Sequence, residues 1–209
     1  KVRGVEQLYI LGDFFEAWIG DDERTPLQEQ IASALRAVSD SGTRLFLMHG
    51  NRDFLIGKDY CNRVGATLLD DPTVVDLYGT PTLLMHGDSL CTADVEYQKF
   101  RANMRNPQWQ QMILQRPLAE RQQIREISMD KNQGKEEFIM DVTQDEVVKE
   151  MEAHGVQRLI HGHTHRPAVH ELEAGGKPAK RIVLGDWDEN VWWLEVEPEK
   201  EPVLTKQPL

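Results

Sequence analysis

The chain has 209 residues, which is enough for one domain with a substantial core, and its share of apolar and charged residues is typical of a globular protein. The formal net charge of −11 argues against a general nucleic-acid-binding protein, which needs a broad basic face. No run approaches the roughly 18 apolar residues of a membrane span. The two cysteines, Cys61 and Cys91, form neither a disulfide framework nor a CxxC metal motif, so a reducing, cytoplasmic setting is expected.

The first third of the chain predicts strands that alternate with a helix. Residues 8–11 are an apolar run that stops at Gly12-Asp13. A helix with apolar residues at helical spacing starts at Thr25-Pro26 and ends at Gly42, because proline is favoured in the first turn and glycine after the last. A second apolar run, residues 45–48, leads into the sequence HGNRD.

The rest of the chain predicts a hairpin, a helix and then mainly strands. Residues 73–78 and 82–86 flank a Gly-Thr-Pro turn and are typical of a hairpin. Thr143 and Glu146 predict a capping box that opens a helix ending at His154. Strands are predicted at residues 159–160, 169–172, 181–184 and 191–196. The pattern is α/β, and we expect a single domain over residues 1–209.

Residues 94–140 interrupt this pattern and predict a helical insertion. Residues 94–105 and 107–125 look helical, and between residues 98 and 125 six basic residues stand against Glu120 alone. A basic segment on an acidic body favours contact with an anionic ligand or surface, although an ordinary solvated helix face explains it equally well. The apolar residues around Trp109 suit either a lipid or a core-facing stripe.

Four apolar runs end in tight polar turns that contain metal-ligand side chains. These turns are Gly12-Asp13, Gly50-Asn51, His86-Gly87-Asp88 and Gly162-His163-Thr164-His165. Sites in α/β proteins assemble at the carboxyl ends of strands, and glycine allows the sharp turn. A mixed set of carboxylate, amide and imidazole ligands favours Mn²⁺, Fe²⁺ or Zn²⁺ over Ca²⁺. Each turn alone could be purely structural. The prediction of a metal site therefore depends on the occurrence of all four turns in this order.

The series GDFFE, GNRD, MHGD and GHTH resembles the signature of the calcineurin-like metallophosphoesterases. The longer strings LYILGDFFEAWIGDD, HGNRDFL, LMHGDSLCTAD and LIHGHTHRPAVHEL resemble more closely the UDP-2,3-diacylglucosamine hydrolase family of lipid A biosynthesis. The resemblance implies a layered α-β-β-α sandwich, with helices outside two central sheets and a helical lid at about residues 94–140.

The resemblance also implies two Mn²⁺ ions per chain. Asp13 would bridge both ions, Asn51, His86 and His163 would complete one site, and His165 would belong to the other. The family carries an Asp-x-His motif on its first strand, which does not occur before Gly12. We therefore expect an N-terminal strand and helix to precede this chain, and the alternative is a scaffold that lacks a metal.

Arg52 stands where most relatives in the superfamily carry a histidine. Arginine stays protonated and is a poor general acid, but its planar fork binds phosphate well. A phosphate ester leaves as a stable anion without a proton, so Arg52 favours cleavage of a diphosphate over that of an alkyl phosphomonoester.

The expected catalytic residues are Arg52, Asp13 and His163. By resemblance, the substrate-binding residues are Asn51, Arg52, Asp94, Ser128, Asn132, Lys135 and His163. Asp88 is expected to orient a ligand.

The leading hypothesis is hydrolysis of UDP-2,3-diacylglucosamine to UMP and 2,3-diacylglucosamine 1-phosphate. We expect a monomer that associates peripherally with the cytoplasmic face of the inner membrane and binds no nucleic acid. The enzymatic alternative is a calcineurin-like phosphoesterase that acts on a different nucleotide or phosphoester, and the non-enzymatic alternative is the metal-deficient scaffold.

Overall fold

The computed structural model describes residues 4–132 and 140–209. The chain forms two compact units, which we call the first unit (Lys1–Asp70 and Lys99–Phe138) and the second unit (Asp71–Gln98 and Ile139–Leu209). The mixed α/β class is confirmed by the order of the elements. The single domain with a lid at residues 94–140 stays a prediction.

The helices in the described residues are α1 Pro26–Asp40, α2 Lys58–Val64, α3 Val95–Met104, α4 Pro107–Leu114, α5 Leu118–Asn132 and α6 Gln144–Ala153. The strands there are β1 Gln7–Leu11, β2 Arg44–Met48, β3 Ala66–Leu69, β4 Thr73–Leu77, β5 Thr80–Met85, β6 Arg158–His161, β7 Ala168–Ala174, β8 Lys177–Val183, β9 Asn190–Glu195 and β10 Val203–Pro208. In this part of the chain, no helix combines the length and the apolar character that a membrane crossing requires.

The first unit contains a parallel sheet in the order β1-β2-β3. Helix α1 connects β1 to β2, as a parallel crossover requires. Its start is fixed by a capping box in which the Thr25 hydroxyl and the Gln28 side chain each accept a backbone N–H of the other residue. The register pairs Leu11 with Met48, so the loops after β1 and β2 leave the same edge of the sheet.

The second unit contains a five-stranded sheet in the order β4-β5-β6-β8-β7. Strands β5, β6 and β8 are parallel, and antiparallel strands β4 and β7 form the two edges. Val147 and Met151 of α6 are buried in one hydrophobic cluster with Leu83 and Leu159 of the central strands. The register pairs Met85 with His161, which places the turns after β5 and β6 beside each other.

The predicted hairpin is confirmed as β4 and β5, but three elements are not predicted by the sequence pattern. Helix α2 has seven residues and strand β3 has four, so neither shows a full hydrophobic period. Strand β10 pairs with β9 in a separate two-stranded sheet, and its sequence has no apolar alternation.

The capping box predicted at Thr143 is wrong, although α6 does begin directly after this residue. The Thr143 side chain makes no capping hydrogen bond, because its hydroxyl oxygen accepts from the Thr92 hydroxyl at 2.8 Å. Asp145 and Glu146 in the first turn still favour a helix start there through the helix dipole.

Two of the six basic residues in the predicted insertion connect α5 to residues 19–23 within the first unit. Arg121 is buried, and its guanidinium donates to the carbonyl oxygens of Ile19 and Arg116 and to the Asp22 carboxylate. Arg125 donates to the buried Glu23 carboxylate at 2.7 and 2.8 Å. These arginines therefore form structural ion pairs and are not part of a solvated helix face.

We expect Arg121→Met to lower the free energy of unfolding by about 2 kcal/mol, because it leaves the buried Ile19 carbonyl and the Asp22 carboxylate without their donor. Arg116→Met is the matched control, since Arg116 makes only an exposed pair with Glu120 at 3.8 Å and should contribute about 0.5 kcal/mol or less. Urea denaturation of both variants measures the difference. Equal losses would contradict the anchoring role.

Candidate metal centre

The first unit carries the predicted ligands Asp13 and Asn51 in the loops after β1 and β2. Gly12 and Asp13 have φ angles of 87° and 51°, so the backbone turns sharply directly after the strand. Left-handed conformations are uncommon for residues other than glycine, and aspartate tolerates them better than most. The turn is therefore held by the surrounding hydrogen bonds.

Those hydrogen bonds converge on Asp53, a buried carboxylate that no sequence pattern identified as functional. It accepts from the backbone N–H groups of Gly50 at 2.7 Å, Phe14 at 2.7 Å, Asp13 at 3.2 Å and Phe15 at 3.4 Å. The Asp13 carboxylate in turn accepts from the Arg52 N–H at 2.8 Å. Asp53 thereby joins the two ligand loops, and its place as the last residue of GNRD is the only signal in the sequence.

Gly50 is required because Asp13 occupies the space of a side chain. A Cβ atom at position 50 would lie 2.1 Å from the Asp13 Oδ1 and 2.2 Å from its backbone nitrogen. Both contacts are too close for any residue with a side chain. The glycine of the GN motif therefore allows the two loops to approach each other, a role that differs from the sharp turn predicted for it.

Arg52 points its guanidinium at Glu16, with 2.6 Å between Nη1 and the Glu16 oxygen. The Arg52 side chain is 26% exposed and the Glu16 side chain 80%. The arginine is thus accessible to a ligand from solvent and is oriented by a neighbouring carboxylate. Glu16 was not predicted to have a role, because a lone exposed glutamate carries no pattern.

Arg105 also makes hydrogen bonds to the loop after β2 that carries Asn51. Its guanidinium donates to the carbonyl oxygens of His49 at 3.3 Å and Gly50 at 3.1 Å. The predicted insertion therefore holds the loop that leads to Asn51, in addition to any contact with a ligand.

The second unit carries the imidazole ligands. His86 is buried at the end of β5, and its carbonyl oxygen accepts from the Gly162 N–H at 2.9 Å. The rings of His86 and His163 lie edge to face with centroids 5.1 Å apart, and their ligand nitrogens are within 4.8 Å. His163 and His165 both have left-handed backbones, with φ of 65° and 54°.

Burial and, to a smaller extent, the neighbouring His86 lower the pKa of His163 to about 3. The imidazole is therefore neutral at physiological pH and keeps a lone pair for a metal ion. Burial also lowers the pKa of His161 to about 4, so this ring is neutral as well. The imidazoles of His86 and His163, whose ligand nitrogens lie within 4.8 Å of each other, fit a first-row divalent ion.

The other predicted residues have varied surroundings. The His165 Nδ1 lies 3.7 Å from the Asp186 Oδ2. The sequence did not predict this acidic neighbour. Asp88 is buried and accepts from the Tyr97 hydroxyl at 3.0 Å, and its orienting role stays a prediction. Asp94 precedes α3, and its carboxylate accepts the Tyr97 N–H at 2.9 Å, so it caps the helix.

The remaining predicted substrate-binding residues are not tested. Ser128 and Asn132 lie on α5, and Lys135 lies outside the described residues. Asn51 is half-buried directly after Gly50.

We expect Asp53→Asn to lower the free energy of unfolding by about 2 kcal/mol, because the amide keeps one acceptor oxygen and turns an NH₂ group towards backbone donors. Asp40→Asn, at the exposed end of α1, should cost about 0.5 kcal/mol or less. Urea denaturation in the presence of a chelator checks both values without a metal contribution. A loss in Asp53→Asn no larger than in the control would contradict the assigned role.

Comparison with known proteins identifies the family. The profile described as Calcineurin-like phosphoesterase matches residues 2–167. A protein from Marinobacter nauticus named UDP-2,3-diacylglucosamine hydrolase is 76% identical over 213 aligned residues, which cover 100% of this chain and 87% of that protein. A protein of the same name from Ectopseudomonas mendocina is 58% identical, and the alignment covers 95% of this chain and 84% of that protein. Another, from Hahella chejuensis, is 57% identical, and the alignment covers 90% of this chain and 79% of that protein.

These matches confirm the predicted fold class and the family resemblance. The match to the M. nauticus protein extends over the whole chain, and its identity is well above the level at which a family is shared. The chain belongs to the calcineurin-like phosphoesterases and, within them, to the UDP-2,3-diacylglucosamine hydrolase family.

Proposed function

We propose that this chain hydrolyses the diphosphate of UDP-2,3-diacylglucosamine to UMP and 2,3-diacylglucosamine 1-phosphate, a step of lipid A biosynthesis. The observation that carries the proposal is the 76% identity across the whole chain to a protein that bears this activity in its name. The His86 and His163 imidazoles in the second unit and the constrained carboxylate loop in the first supply the donor groups that such chemistry needs.

The proposed metal ligands are Asp13, Asn51, His86, His163 and His165, around two Mn²⁺ ions. Bound divalent ions act as Lewis acids on phosphoryl oxygens and lower the pKa of water. The protein supplies neutral imidazoles, because burial keeps His163 unprotonated, and a carboxylate whose backbone is fixed by Asp53. A donor set of nitrogen and oxygen without thiolate fits Mn²⁺.

Arg52 is proposed to bind a phosphate group of the substrate. Its guanidinium has five donors in a planar fork and stays charged at any relevant pH. The pair with Glu16 keeps the fork oriented near the surface before a ligand arrives. Arg52 lacks the proton-donating ability of a histidine, which supports a leaving group that departs as a phosphate ester.

The lipid end of the substrate is proposed to contact helices of the predicted insertion. Several large apolar side chains of these helices are about half-exposed. They are Phe100, Met112, Leu114, Ile124 and Ile127. This surface supports a lid over the acyl chains at the cytoplasmic face of the inner membrane, and we propose that the chain acts there as a monomer.

We expect the full-length protein with Mn²⁺ to release UMP and 2,3-diacylglucosamine 1-phosphate, and a chelator to stop the reaction. Mass spectrometry after reaction in ¹⁸O-labelled water measures both products, and the position of the label identifies the phosphorus that is attacked. Asp13→Ala should lower turnover by several orders of magnitude, on the scale of a disabled two-metal site, whereas Asp40→Ala should not. No UMP from the metal-loaded protein would refute the proposed function.

We expect Arg52→Lys to lower kcat by about 10²–10³-fold, because lysine keeps the charge but loses the fork that binds two phosphate oxygens. Arg24→Lys is the matched control, since Arg24 is exposed and lies 4.0 Å from Glu29. Steady-state kinetics on the diphosphate substrate compare the two variants. Wild-type turnover in Arg52→Lys would show that positive charge alone is sufficient.

A further inference from the structure

His161 and Arg181 form a buried polar pair next to the ligand turns of the second unit. His161 is the last residue of β6, and Arg181 lies on the neighbouring parallel strand β8. Arg181 is paired in register with Leu159, two residues before His161, so both polar side chains project from the same face of the sheet. Both are almost completely buried, where polar groups without partners are costly.

The hydrogen bonds of this pair fix the tautomer of His161. Arg181 Nη1 lies 3.2 Å from the His161 Nε2. Because a guanidinium donates and never accepts, Nε2 must be the acceptor. The single ring proton is then on Nδ1, which lies 2.9 Å from the Gly162 carbonyl oxygen and donates to it.

Gly162 connects this pair to both imidazole ligands. Its N–H donates to the His86 carbonyl at 2.9 Å, and its carbonyl accepts from the Thr164 N–H at 2.8 Å. His163 lies between these bonds with its backbone in the left-handed region, a conformation that costs of order 1 kcal/mol or more unless the surroundings hold it.

Gly87 provides the space that the His161 ring occupies. A Cβ atom on Gly87 would lie 2.7 Å from the His161 Nδ1 and 3.0 Å from the Gly162 oxygen. The imidazole therefore packs directly against the turn that follows His86. A change in the orientation of the His161 ring would disturb both turns at once.

We propose that His161 and Arg181 are positioning residues of the metal centre, in which Arg181 sets the tautomer of His161 and His161 fixes the Gly162 peptide that presents His163. The pair touches neither substrate nor metal and acts through the backbone. The inference rests on the proposed function, because it requires that His86 and His163 bind a divalent ion. Partners of this kind contribute about 10–100-fold to metal affinity in other sites.

The first experiment measures the dissociation constant of Mn²⁺ by calorimetry in the full-length protein. Arg181→Met, which keeps the side-chain length and removes the donors, should bind Mn²⁺ about 10-fold more weakly. Arg181→Lys, which keeps a donor, should recover most of the affinity. Lys180→Met is the matched control on the same strand, where the Lys180 side chain pairs with the exposed Glu201, and it should bind as the wild type does.

Thermal unfolding of the metal-free variants separates a local effect from loss of the fold. Weaker Mn²⁺ binding in Arg181→Met with an intact unfolding transition supports the positioning role. Wild-type affinity in a folded Arg181→Met would overturn it. If the wild type itself binds no Mn²⁺, the proposed function fails, and the positioning role fails with it. If the wild type binds Mn²⁺ and Arg181→Met binds it equally well, only the positioning role is refuted and the proposed function stands.

The second experiment needs no variant and decides the case if Arg181→Met does not fold. Long-range ¹H–¹⁵N spectra of the metal-free wild type report which ring nitrogen of His161 carries the proton. The proposal expects the proton on Nδ1, and a proton on Nε2 would overturn it. In a folded Arg181→Met, a shift of the proton towards Nε2 would show that Arg181 sets the tautomer.

Discussion

The ligand loops of the first unit depend on one buried carboxylate. Asp53 collects four backbone N–H groups, from Gly50 and from three consecutive residues that start at Asp13. An ionised carboxylate out of water is tolerated only when such donors compensate its lost hydration. The turns also need the carboxylate, because their backbone N–H groups would otherwise be unpaired. The ligand loops are therefore ordered by the polypeptide before any ion binds.

The ligand turns of the second unit are held by a cationic and a neutral side chain, whereas those of the first unit are held by a carboxylate. In the second unit the cationic Arg181 donates to the neutral His161 imidazole, and the His161 Nδ1–H donates to the Gly162 carbonyl oxygen. In both units, polar side chains outside the proposed ligand set make hydrogen bonds to the turns that carry the ligands. Asp13 and His163 have left-handed backbones, and these hydrogen bonds hold the turns in which they lie. Preorganised ligands lose little entropy when they bind an ion.

Local patterns predicted much of this architecture. Helix α1, the hairpin of β4 and β5, and the strand ends that carry Asp13 and His163 follow from periodicity and from glycine placement. The partners of these residues could not be predicted in the same way. Arg121 bonds to Asp22, 99 residues away, and the Thr143 hydroxyl bonds to Thr92 instead of capping its own helix. Such contacts depend on tertiary packing, which a periodic pattern does not encode.

The contacts of Arg105 have a consequence for protein engineering. An insertion that only covered the acyl chains could be exchanged freely between relatives to alter lipid preference. Here Arg105 holds the His49 and Gly50 carbonyls, and Arg121 and Arg125 hold residues 19–23 of the same unit. A chimera that replaces these helices must therefore keep the three arginines. The exposed apolar positions on these helices, such as Met112, Leu114 and Ile124, are the ones open to redesign.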